Sequence, residues 1–176
     1  MEWKMAGDLH RGARSALDWR GFGCSPVSGI RGMQSSGTAV FMPWHRVCLA
    51  RAYVELGRFD DAWSCIGEAI TEVAATDEKR CEAETQPVAG EIALKSPEQD
   101  AAKAEAYFER ALALVREQQA KSWELRAATS MARLWGDQGE RQQAHDLLAP
   151  VYGGFTEGFD TLDLKDAKTL LEQLKA

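Results

Sequence analysis

Four marks recur in one register. Ala50, Tyr53, Gly57 and Ala62 are followed 82 residues later by Ala132, Trp135, Gly139 and Ala144, in the same order and spacing. In each set a small residue and an aromatic three positions on share a helical face, and the glycine suits a left-handed cap that ends the helix. Phe59, Ala62, Ile66 and Ala69 then restart an apolar stripe. Residues 43–74 therefore predict a helical hairpin. Two such helices cannot bury their apolar faces alone, so a hairpin of this kind requires neighbours on either side.

The rest of the chain supplies them. Upstream, Ala16, Trp19 and Gly23 precede Ala50, Tyr53 and Gly57 by 34 residues, which makes residues 1–37 a degenerate copy of the central hairpin. Gly7, Gly12, Gly29 and Gly32 weaken both of its helices. Downstream, residues 75–80 form a polar connection into a helix that includes Val88, Ala89 and Ile92. Pro87 opposes that helix, since an interior proline removes a backbone hydrogen bond; it is expected either to kink the helix or to make it start near Gln86. A second helix from about Asp100 carries Ala104, Phe108, Ala111, Leu112 and Val115 on one face, with Phe108 expected between hairpins. Trp123 to Trp135 and then Ala144 to Val151 make another pair. The 82-residue offset exceeds the 68 of two 34-residue units, and the surplus is expected in the 96–100 loop and before Trp123. Leu164, Ala167, Leu170, Leu171 and Leu174 mark a terminal helix at 162–175 whose outer side is charged, as the end of an open stack requires. The units are thus about 1–37, 38–76, 81–119 and 122–153, in one domain spanning 1–176.

Composition sets the broad class. A chain of 176 residues that is 45% hydrophobic and 27% charged is ordinary for a folded domain. A net charge of -6 argues against a nucleic-acid backbone as partner, because such binding depends on a basic face. There is no apolar run of signal-peptide type after Met1 and none of about twenty residues that spans a bilayer, so no membrane is expected and the cytoplasm is the default. Cys24, Cys48, Cys65 and Cys81 form no C-x-x-C pair and read as buried thiols. His10, His45 and His145 fall in three different units without a metal-ligand partner on the same face, so no metal or cofactor is expected. His45 and Cys48 lie three apart on one helix, yet no orienting third group or oxyanion donor accompanies them.

Leu49, Ala50, Tyr53, Gly57, Phe59, Ala62, Ile66 and Ala69 occupy in order the main packing positions of the tetratricopeptide (TPR) repeat, and the chain resembles that family over nearly its full length. In the third unit Ala104, Phe108, Ala111 and Leu112 match, with Gly90 as the small residue and an expanded turn. In the last, Met131, Ala132, Trp135, Gly139, Ala144 and Leu148 match, while Arg141 replaces the aromatic after the glycine. A closer resemblance is carried by GEIALKSPEQDAAKAEAYFERALALVREQQAKSWELRAATSMARLW and DQGERQQAHDLLAPVYGGFTEGF. These look like the C-terminal helical-repeat region of bacterial multidomain proteins that place an adenylate/guanylate cyclase domain and an AAA-type ATPase domain before the repeats.

The resemblance implies an all-α, right-handed superhelical solenoid of antiparallel helix pairs with a C-terminal capping helix. It implies a non-catalytic protein-interaction or regulatory module, expected as a C-terminal piece of a larger signalling protein. The alternative is the control segment of a nucleotide cyclase or ATPase whose catalytic domains lie elsewhere. Neither a phosphate-binding glycine loop with Lys-Ser/Thr nor a cyclase metal-binding aspartate motif is present, so no catalytic residue is assigned. A small-molecule sensor is a third reading and needs an enclosed apolar pocket. If the hairpins stack as in that family, Trp44, Val47, Arg51 and Glu55 face the concave side with Arg126, Thr129 and Arg133. The arginines are the candidate contacts for an acidic or C-terminal peptide segment, by forked hydrogen bonds to carboxylate. An exposed end of the stack invites self-association.

Overall fold

The computed structural model describes residues 42–76 and 79–175, so the expected first unit, with Ala16, Trp19 and Gly23, lies outside the described residues. Those residues form seven helices and no strand: α1 Met42–Glu55, α2 Phe59–Thr76, α3 Lys79–Lys95, α4 Ala101–Glu117, α5 Lys121–Asp137, α6 Arg141–Gly153 and α7 Leu162–Lys175. The described part of the chain is all-α.

The recurring marks have a direct local cause. At the end of α1, Gly57 takes φ +70, so that its N–H reaches Val54 O at 3.0 Å and the Arg58 N–H reaches Tyr53 O at 2.9 Å. At the end of α5, Gly139 takes φ +89 and the Glu140 N–H closes on Trp135 O at 2.8 Å. Both are left-handed caps that use up orphan carbonyls and reverse the chain within three residues. The α4–α5 turn repeats this geometry with Gln119 at φ +54 in place of glycine. The α3–α4 turn is the expanded one: the Asp100 N–H reaches back to Ala93 O, and the Asp100 side chain caps α4 by accepting from the Lys103 N–H at 2.9 Å. The remaining surplus is not in loops. It is taken up by longer helices, α2 with 18 residues and α4 with 17.

Two expectations at this join need correction. The stretch 75–80 is mostly helical rather than a polar connection, since α2 runs to Thr76 and α3 begins at Lys79. Neither does α3 begin near Gln86; it runs through Pro87. The proline removes the N–H that Ala83 O would receive, and burial offsets it: Cys81, Ala83, Pro87, Val88, Ala89, Ile92 and Ala93 are all in the interior.

Each even helix packs between two odd ones, and α1 touches α3, α3 touches α5, and α5 touches α7. Two apolar clusters run through this arrangement. One centres on Ala50, Ala62, Ile66 and Ile92, the other on Phe108, Leu125, Met131 and Leu148, and Trp63 packs against both. Ala50, Gly90 and Ala132 hold the same position, three residues before the carbonyl that closes each turn. Ile66, Phe108 and Leu148 likewise stand four residues after Ala62, Ala104 and Ala144. Phe108 is 1% exposed, and a methyl on Gly90 would fall 2.5 Å from its ring. The third unit therefore has glycine where the others have alanine because its large residue is a phenylalanine. Trp135 is held from the other side, its indole N–H donating to Glu105 Oε1 at 2.7 Å.

Candidate functional site

Ion pairs between successive odd helices define a shared face. Arg51 of α1 meets Glu84 of α3 at 2.9 Å, Glu55 of α1 meets Lys95 of α3 at 3.4 Å, Arg126 of α5 meets Asp163 of α7 at 2.7 Å, and Arg133 of α5 approaches Asp166 of α7 at 3.8 Å. Four side chains expected on one side of the chain, Arg51, Glu55, Arg126 and Arg133, thus stand in rows across the odd helices. Each already has a counter-charge. The arginines are not open donors awaiting a ligand, as their sequence positions alone suggest.

Trp44 is 39% exposed, and its ring meets Trp123 edge-on with centroids 6.3 Å apart. The contact joins α1 to α5 across α3, and Arg126 lies 5.7 Å from the Trp123 ring. The face therefore has an aromatic pair beside its charged rows, a combination favourable for guanidinium stacking.

Val47 and Thr129 are corrections. Val47 is 1% exposed in the core, and Thr129 is buried with its hydroxyl donating to Leu125 O at 2.7 Å. The reason is positional: Val47, Pro87 and Thr129 each precede the small residue Ala50, Gly90 or Ala132 by three, and this position points into the packing between odd helices. A side chain there is covered by its neighbours and is not offered to a partner.

Glu84, Glu91, Lys95 and Asp163 were not among the expected residues. The signal for the α3 members was present, because the step from Ala50 to Gly90 carries Trp44 to Glu84, Arg51 to Glu91 and Glu55 to Lys95. Pro87 obscured it by arguing against a helix through that stretch. Glu84 is the chemically distinctive member. It is 2% exposed, and its burial raises its carboxyl above the ordinary range, opposed by the charges of Arg51 and Arg126 and reinforced by those of Glu91 and Asp163. Losing hydration outweighs the attraction of the two guanidinium groups here.

The remaining chemistry is limited. Cys48 is exposed rather than a buried thiol as its spacing suggests; partial desolvation still pushes the thiol up, with Arg51 opposing and Glu84 adding, so the thiolate needed for nucleophilic attack is disfavoured. Among the described residues no group of three or more His, Cys, Asp or Glu side chains is placed to hold a metal ion, and no helix is long and apolar enough to cross a membrane. A recess of about 250 Å³ lies between α2, α3 and α4, lined by Ile70, Val73, Thr85, Gln86 and Arg110 among others. No protein-family model matches the sequence, and no curated protein matches it.

Proposed function

We propose that the chain is a non-catalytic, TPR-type protein-interaction or regulatory module whose helix pairs continue as a right-handed solenoid with α7 as its cap. Its odd helices form the inner wall, and that wall receives an extended peptide segment of a partner protein. The observation that carries this reading is the side-by-side contact of α1, α3, α5 and α7 with charged rows crossing them. Helices in such an arrangement touch only near neighbours, so the wall stays open along its length and suits an elongated ligand better than a compact one.

The test is to pan a random peptide display library against the full chain and measure the enriched peptides by calorimetry. A real inner-wall ligand loses at least about tenfold in affinity, or 1.4 kcal/mol, when Arg51→Ala and Arg133→Ala are combined. Peptides that bind parent and double variant equally, or a library that enriches nothing, would overturn the reading.

A further inference from the structure

The ion pair between Arg51 and Glu84 is unequal. The Arg51 side chain is 45% exposed, whereas that of Glu84 is 3% exposed. A ligand approaching this face meets the guanidinium, and the carboxylate already bound to it lies beneath. Because the Arg51 guanidinium is the exposed half of the pair, an incoming carboxylate, the strongest acceptor for a guanidinium, competes with Glu84 for it.

We infer that Glu84 is an internal competitor for Arg51: an acidic peptide segment entering the inner wall takes the guanidinium, and Glu84, left behind in the interior, takes up a proton from solvent. The inference rests on the peptide-binding reading above and adds the chemistry of the ligand and its control. The charged and titratable groups facing Glu84 are Arg51 and Cys48 of α1, Glu91 on its own helix, Arg126 of α5 and Asp163 of α7. Of these only the two arginines favour its ionised form. Arg126 is already bonded through Nε to Asp163, so Arg51 is the cation whose loss Glu84 feels most. A buried carboxylate stripped of its counter-charge is neutralised rather than left charged. Burial already holds the Glu84 carboxyl on the raised side.

Proton uptake on binding makes affinity depend on pH by linkage, by up to about tenfold per pH unit while one proton is taken up. Binding tightens as pH falls. The probe is a fluorescein-labelled hexa-aspartate peptide, which stays ionised above about pH 5, titrated with the full chain at constant ionic strength between about pH 8 and about pH 5.5. The parent is expected to bind at least about fivefold more tightly at the acid end. Glu84→Gln is expected to bind at the alkaline end at least as tightly as the parent does at the acid end, with little pH dependence left.

The carboxyl carbon of Glu84, followed by NMR in the parent, gives a reading that does not depend on the variant: its titration midpoint is expected to rise when the peptide is added. Superimposable pH profiles of parent and Glu84→Gln, or a midpoint that saturating peptide leaves in place, would sink the inference. If neither protein binds the peptide at any pH, the acidic ligand is wrong, and the library experiment decides separately whether the wall binds peptides.

Discussion

Gly90 and Phe108 behave as one unit, because the ring occupies the space that a β-carbon would need. Gly90→Ala gains about 1 kcal/mol of helix propensity and loses about 1–3 kcal/mol to overpacking, so the urea midpoint is expected to fall. Adding Phe108→Leu to that variant relieves the clash, and the double variant is expected to be more stable than the sum of the single changes. Additive effects would mean that the two side chains do not share the space. Glu84 is the second residue whose environment sets a measurable quantity. Its folded-state pKa is raised above its unfolded value, so its contribution to stability is fully present below the ordinary glutamate range, near pH 4.3, and is lost as pH rises through the folded value. Glu84→Gln keeps an acceptor for Arg51 and removes the titration. Its unfolding free energy is therefore expected to exceed the parent's by an amount that grows between about pH 4 and about pH 7; a constant difference across that range would contradict the assignment.

At the scale of the helix, α3 is the element whose sequence and structure disagree most. Pro87 withholds a backbone donor from an interior turn, at a cost of about 3 kcal/mol in an exposed helix, and the helix persists because its burial outweighs local preference. Pro87→Ala restores the donor while removing buried ring atoms. The expected result is a net gain in thermal midpoint together with a protected amide at position 87 by hydrogen exchange. The other helices were legible in the sequence because their apolar stripes and turn glycines agree: Gly57 and Gly139 sit where a positive φ is required, and the buried residues of α7 are the five its spacing marks. The candidate face was only half legible. Arg51, Arg126 and Arg133 were expected from the stacking that the family resemblance implies, but their partners Glu84, Asp163 and Asp166 come from neighbouring helices, and no single-helix pattern contains that pairing. Val47 and Thr129 were misplaced because a helical wheel marks a face without saying how closely the next helix covers it.

Among the described residues, backbone contacts reach only from one helix to the next two, so a local weakness is expected to spread by proximity. Leu171→Ala in α7 opens a cavity worth about 2–5 kcal/mol. Hydrogen exchange is expected to quicken most in α7, α6 and α5 and least in α1 and α2, and uniform acceleration along the chain would indicate a single cooperative core instead. The indole pair departs from this neighbour-only pattern. Trp44 and Trp123 belong to helices whose backbones do not meet, and their rings bridge that gap over α3. They act as a caliper on the separation of α1 from α5: parting these helices pulls the rings apart, drawing them together crowds them, and the shared emission of the pair registers the difference without any added label.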